Sequence, residues 1–283
     1  MSMYLVTGGA GFIGSNIVEE LVKRGENVKV LDNLSEGKIE NIEPYLNKIE
    51  FIKGDIRDID IVNKAVRGVD YILHQAALRS VPKSMMKPKE YNEVNVGGTL
   101  NILIAAKETK VKRVVFASSS SVYGNTDKFP EKETDVLNPV SPYAATKLMG
   151  EYHCKSFSNS FGLETVSLRY FNVFGPRQSL ENEYAVVIPK FITCILKGEN
   201  PPIYGDGHQS RDFIFISNVI EANLKAIESP GISGEVFNIA CGKDYTVLEL
   251  LRILNEIMDT DIKPVFMSSR PGDVKKTFAD VTK

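Results

Sequence analysis

The sequence predicts an α/β fold, a parallel sheet doubly wound by helices, on three observations. Short apolar runs alternate with helical or turn sequence through residues 1–172. A glycine-rich turn from Gly8 to Gly14 falls between the first run and the first helix. Helices of ten or more residues separate the later runs, which implies parallel pairing through right-handed crossovers.

Taken in order, residues 3–7 form the first strand. Residues 16–24 place apolar side chains at 17, 18, 21 and 22, the period of a helix with one buried face, and Gly25 suits its end. A second strand covers 28–31 and runs into Asp32. Further strands are expected at 49–53, 71–73, 113–117 and 165–168, with long helices at 91–109 and 141–161. Past Asn172 the texture changes. Helices at 186–197, 217–229 and 247–258 alternate with strands at 213–216, 236–239 and 263–266 among Pro, Gly and mixed polar residues. The expected division is a sheet domain over 1–172 and a smaller C-terminal α/β lobe over 173–283, with segments free to cross back into the first.

Composition excludes several classes. With 43% apolar and 25% charged residues over 283 positions, the chain buries a large core without staples. No run of eighteen apolar residues exists, so no membrane span is expected. The N-terminus lacks a basic region ahead of an apolar core, which argues against a signal peptide and for a cytoplasmic location. A net charge of −2 without a basic block gives nucleic acid little hold. Cys154, Cys194 and Cys241 read as buried free thiols of a reducing compartment. His74, His153 and His208 are equally scattered, so no metal site is expected.

Gly8, Gly11 and Gly14 have the spacing of a dinucleotide-binding turn. One glycine permits the turn, one lets backbone approach a pyrophosphate, and one lets helix and strand pack closely. The helix N-terminus then offers unpaired N–H groups and partial positive charge to phosphate. Asp32 lies 18 residues past Gly14, where a carboxylate accepts ribose hydroxyls and repels a 2′-phosphate, favouring NAD over NADP.

Tyr143 and Lys147 stand at i and i+4 on a predicted helix, hence on one face. A phenol titrates near 10 in water, and a neighbouring ammonium lowers that value. The pair alone is better explained by a buried aromatic and a surface lysine. Upstream, four serines from Ser118 to Ser121 close the fifth strand, where open α/β sheets bind ligands.

Together these motifs resemble the extended short-chain dehydrogenase/reductase family. The resemblance also rests on Asp55-Ile56, His74-Gln75-Ala76-Ala77, Asn95-x-x-Gly98-Thr99, Val122-Tyr123-Gly124, Leu168 to Asn172, Gly205-Asp206-Gly207 with Arg211-Asp212-Phe213, and Arg270 to Asp273. Within that family the chain resembles UDP-sugar 4-epimerases acting on UDP-glucose and UDP-N-acetylglucosamine. The resemblance implies a Rossmann domain at 1–172 and a nucleotide-sugar lobe after it. It implies Ser119, Tyr143 and Lys147 as catalytic residues. Ser119 would bond the sugar O4, Tyr143 would act as acid and base, and Lys147 would hold the nicotinamide ribose. Phe12, Ile13, Asp32, Asn33, Asp55, Ile56, Gln75, Ala76, Ala77, Asn95 and Tyr170 would line the NAD site. Asn172, Arg211 and Arg270 would bind the diphosphate, with Asp273, Val187 and Ile188 near the uridine. Thr277 falls at the position beside the sugar C2 substituent, and its small side chain would admit an N-acetyl group. Tyr184 to Lys190 resembles epimerases of N-acetylhexosamines. The family's pattern continues past Lys283 through a last helix, which puts closure of the lobe in question.

The implied reaction inverts C4 of a UDP-hexose through a transient 4-keto sugar. A hydride passes to NAD and returns to the other face, so no external redox partner is needed. UDP-glucose and UDP-galactose are expected substrates, with UDP-GlcNAc and UDP-GalNAc beside them. Alternatives are a reductase, dehydratase or decarboxylase of the same fold, or an NAD-sensing module without catalysis. Ser120 and Ser121 follow Ser119 where the dehydratases carry an acid. The family also implies a homodimer through the long helices near 91–109 and 141–161.

Overall fold

A computed structural model describes residues 1–179, 187–269 and 274–283. Its centre is a seven-stranded parallel sheet. Six strands come from the first part of the chain: β1 (Met3–Thr7), β2 (Asn27–Asp32), β3 (Ile49–Lys53), β4 (Tyr71–His74), β5 (Arg113–Ser119) and β6 (Glu164–Tyr170). The seventh, β10 (Glu235–Ile239), arrives from far down the chain, after β7 (Asn172–Phe174), β8 (Pro202–Tyr204) and β9 (Ser210–Phe215). It pairs with β6, Glu235 opposite Val166 through Ile239 opposite Tyr170. The spatial order is β10-β6-β5-β4-β1-β2-β3, so the winding reverses between β1 and β4. Ligand crevices of open sheets form at such a reversal.

Near-continuous apolar strands let both faces bury. The side chains of β1, β2, β4 and β5 pack on one face under α1 (Phe12–Lys23) and α8 (Ile216–Glu228), around Ile17, Leu21, Val30, Val115 and Val219. The other face packs under α2 (Ile59–Val66), α5 (Thr99–Glu108) and α6 (Pro142–Phe161), around Leu5, Ile72, Ile102, Val114 and Phe116. Two short helices, α3 (Val81–Met86) and α4 (Pro88–Tyr91), precede α5.

The helix expected over 91–109 is not one regular helix. Residues Asn92–Gly98 form a π-helical stretch before α5 begins at Thr99. The wider turn lets Asn95 bond both backbone groups of Leu78, its Oδ1 accepting at 2.8 Å and its Nδ2 donating at 2.9 Å.

The smaller lobe has its own core, built by α7 (Val187–Lys197) and α9 (Val247–Met258) around Phe191, Ile195, Leu250 and Leu254. Strand β9 starts earlier than expected and ends where α8 begins, because Ile216 turns into the helix core. It pairs with β7, with β11 (Asp244–Thr246) and with β13 (Lys276–Thr277). A separate ribbon joins β8 to β12 (Val265–Met267). Cys154 and Cys194 are buried, but Cys241 is exposed, contrary to the expectation for all three, because it follows a strand end at the protein surface. Among the described residues no helix is long and apolar enough to cross a membrane.

Candidate active site

One cleft opens at the carboxyl ends of β1, β2, β3, β4 and β5, with a volume of about 380 Å³. Its floor is the glycine turn. A Cβ on Gly14 would lie 2.1 Å from the carbonyl oxygen of Gly8, so only glycine lets α1 pack this close to the turn. A Cβ on Gly11 would meet nothing but that same oxygen, at 3.2 Å, and would otherwise project into open space. The first turn of α1 carries no acid and no side-chain cap. Its amides are therefore left for an anion, as a pyrophosphate requires. These features fit NAD.

Asp32 closes the turn as well as facing the cleft. Its Oδ2 accepts from the Ala10 amide at 2.9 Å and its Oδ1 from the Leu34 amide at 2.8 Å. Burial outweighs these bonds and raises its carboxyl above the usual range. At the rim, Arg57 holds the Asp55 carboxyl down at about 2, and Asn33 donates to Asp55 at 2.8 Å. Ile56, Gln75, Ala76 and Ala77 line the same cleft. The phenol of Tyr170, pushed up to about 12 by burial, meets Gln75 and Asn223. Asn95 does not line the cleft. Its amide is consumed by Leu78 and by Thr146, 3.0 Å away, so it shapes the wall from behind.

The candidate reacting groups meet at the carboxyl end of β5. Ser141 caps α6, accepting from the Ala144 amide at 3.2 Å, with Pro142 in the first turn. This start aims Tyr143 at the end of β5, where its phenol faces Ser119 across the cleft wall. Burial raises the phenol above its ordinary value, while the Ser119 hydroxyl and the Arg79 guanidinium pull it down. Lys147, expected to lower the phenol, is not among the groups that shift it. Its ammonium donates to the Ala117 carbonyl at 2.8 Å, and burial lowers it to about 8. Ser119 Oγ also accepts from Ser121, from the amide at 3.2 Å and the hydroxyl at 2.9 Å.

Not every expected substrate contact lies here. Asn172 lines the cleft, but both its amide protons are committed, to the Asp212 carbonyl and to Thr277 Oγ1, each at 3.0 Å. A backbone carbonyl can only accept, so the amide orientation is fixed, and the group left over is the oxygen. That is a correction to its expected diphosphate role, since an amide oxygen does not bind phosphate. Thr277 stands behind Asn172, buried and off the cleft wall. Ile188 is packed in the α7–α9 core and Val187 lies against it. Arg211 is bonded to the Ser210 carbonyl on β9, opposite Thr277, and is not among the residues lining this cleft. Arg270, Asp273 and residues 184–186 lie outside the described residues.

Two residues escaped the sequence argument. Arg79 follows β4 into the cleft and makes no hydrogen bond or ion pair among the described residues. Asn223 reaches the Tyr170 phenol from α8. Its signal was present, a polar residue within the apolar stripe of Val219, Leu224 and Ile227.

Comparison with known proteins identifies the family. The NAD dependent epimerase/dehydratase family matches residues 4–240. A putative UDP-glucose 4-epimerase of Methanocaldococcus jannaschii is 40% identical, over 99% of this chain and 90% of the relative. The structure of a UDP-N-acetylglucosamine 4-epimerase from Methanobrevibacter ruminantium, in complex with UDP-N-acetylmuramic acid, is 46% identical with a TM-score of 0.95, covering 99% of this chain and 90% of that one. That of a UDP-glucose 4-epimerase from Thermotoga maritima with UDP-glucose is 38% identical with a TM-score of 0.94, at the same coverage. With a glycine cradle, a Ser119–Tyr143 pair and matches along nearly its whole length, the chain belongs to the NAD dependent epimerase/dehydratase family, and its cofactor is NAD.

Proposed function

We propose that the protein is a 4-epimerase of UDP-hexoses, acting on UDP-glucose and UDP-galactose and also on UDP-GlcNAc and UDP-GalNAc. The observation that carries this reading is the meeting of Ser119, Tyr143 and Lys147 on the wall of the glycine-lined cleft.

Bound NAD would supply a reversible two-electron acceptor for C4 of the sugar. Gly11 and the first turn of α1 would hold its pyrophosphate, and Asp32 its adenosine ribose. Lys147, buried at the β5 end, would carry its proton beside the nicotinamide ribose. Tyr143 takes the proton of O4 and later returns it, so it ends each turnover as it began. Ser119 donates to O4 and keeps that oxygen within reach of the phenol. General acid–base help of this kind is worth about 10²- to 10⁴-fold.

The smaller lobe would hold UDP, with Arg211 and Arg270 suited to phosphate by their planar forks. Acceptance of N-acetyl sugars is supported by the Methanobrevibacter relative, which is named for UDP-N-acetylglucosamine and was solved with an N-acetylated sugar nucleotide; Thr277 bears on it only through Asn172, the cleft residue that it backs and that a larger side chain would displace. A homodimer is part of the reading. Met149 and Tyr152, at i and i+3 on α6, are 44% and 56% exposed, an apolar strip for a second copy.

Product analysis with the four UDP-sugars, without added cofactor, tests the proposal. Interconversion at C4 with no net NADH supports it. Loss of water, loss of carbon dioxide, or binding without turnover would each replace it.

A further inference from the structure

Three consecutive residues at the end of β5 each meet a different turn of α6. The Ala117 carbonyl accepts from Lys147 at 2.8 Å. Ser119 faces Tyr143. Ser118 Oγ donates to Glu151 Oε1 at 2.5 Å. Residues 143, 147 and 151 stand at i, i+4 and i+8 and share one helix face. The chemistry above uses the first two and leaves Glu151 without a task.

Glu151 is nonetheless firmly held. It is 4% exposed, and Arg169 clamps it with both arms of the guanidinium, Nε to Oε1 at 2.9 Å and Nη2 to Oε2 at 2.8 Å. Arg169 sits on β6 directly opposite Ser118. Its remaining arm donates to the Tyr123 hydroxyl at 2.8 Å, which donates in turn to Asn238 at 2.6 Å on β10. A buried ion pair gains little net stability over apolar packing, because both charges are stripped of water. What a two-pronged pair does supply is direction. Ser118 and Ser119 flank one peptide plane, so a shift of the backbone at Ser118 turns Ser119 with it.

We propose that Glu151, anchored by Arg169, is a positioning residue for the reaction: by holding Ser118 it sets the direction in which Ser119 meets Tyr143. The inference rests on the roles given to Ser119 and Tyr143 under the proposed function.

The test uses NAD-loaded wild type, Ser118→Ala and Glu151→Gln, each paired with the same protein carrying Tyr143→Phe. The first readout is ionisation of Tyr143, taken as the tyrosinate absorbance difference within each pair. The second is kcat and KM for UDP-galactose. Ser118→Ala is expected to move the Tyr143 titration to higher pH and to lower kcat about tenfold, with KM within about twofold of wild type. Glu151→Gln is expected to do the same more strongly. A lower melting temperature with the titration and kcat unchanged would overturn the proposal, leaving Glu151 a structural residue. Should Glu151→Gln fail to fold, Ser118→Ala decides, since it leaves the Glu151–Arg169 pair intact. The titration needs no turnover. If wild type does not interconvert UDP-sugars, the functional reading falls while the positioning role is still decided.

Discussion

Lys147 spends its ammonium on the backbone of the strand that carries its partner serine, donating to the Ala117 carbonyl two residues before Ser119. Burial brings that ammonium down to about 8, so it carries its proton below pH 8 and loses it above. Any step that needs the cation should fade as pH rises through 8. A pH–rate profile is expected to show that falling limb, and Lys147→Met to remove it while lowering kcat about 10²-fold or more.

Tyr143→Phe keeps the ring and removes the phenol to which the proposed function assigns proton exchange with O4. Turnover is expected to drop about 10³-fold, with NAD content and melting temperature close to wild type. Ser119→Ala should cost less, about tenfold to 10²-fold, because water can replace a donor but not a positioned acid. Initial rates with UDP-galactose check both.

Gly14→Ala places a methyl where the Gly8 carbonyl already stands, 2.1 Å away. Backbone must move, and the α1 amides move with it. The variant is expected to purify without NAD and to melt lower, measurable by cofactor release and calorimetry.

Glu131 is buried where Asp212 and Asp135 add like charge, with Arg211 opposing. Its carboxyl is pushed up from 4.5 to about 7, mainly by desolvation. The folded state thus keeps a proton that the unfolded chain gives up. This contribution to stability is whole below pH 4.5 and is lost as pH rises through 7. Glu131→Gln, which is neutral throughout, should melt several degrees above wild type at pH 8 and match it near pH 5. Melting curves across that range decide.

Thr277 bonds Asn172, so its size and its hydroxyl can be separated. Thr277→Tyr is expected to abolish turnover of UDP-GlcNAc while sparing UDP-glucose. Thr277→Val keeps the volume but frees the Asn172 amide, and should raise KM for both substrates severalfold, the effect of one neutral hydrogen bond. Equal loss on both sugars with Thr277→Tyr would count against the gate.

The sheet was legible because its strands are short apolar runs separated by periodic helices, and the cleft because its motifs each close one of those strands. Gly8 to Gly14 follows β1, Asp32 ends β2, Ser119 ends β5, and Tyr143 begins the next helix. The structure gathers them at one edge. What stayed hidden depends on partners distant in the chain. Asn172 resembles a phosphate ligand until Asp212 and Thr277, 40 and 105 positions away, claim its protons. Asn95 resembles a cofactor contact until a π-helical stretch turns it onto Leu78. Asn223 reaches Tyr170 only because α8 folds back over the first sheet, which no local pattern announces.

The late arrival of β10 bears on how the molecule can be made or divided. During synthesis the cofactor-binding half waits for residues 235–239 before its outer strand is covered. Until then β6 offers a row of unpaired amides and carbonyls to any neighbouring chain. A fragment cut at residue 172 would keep every glycine of the cradle and still be a sticky, half-finished object. Anyone wishing to graft this nucleotide pocket elsewhere must carry the tail along with it.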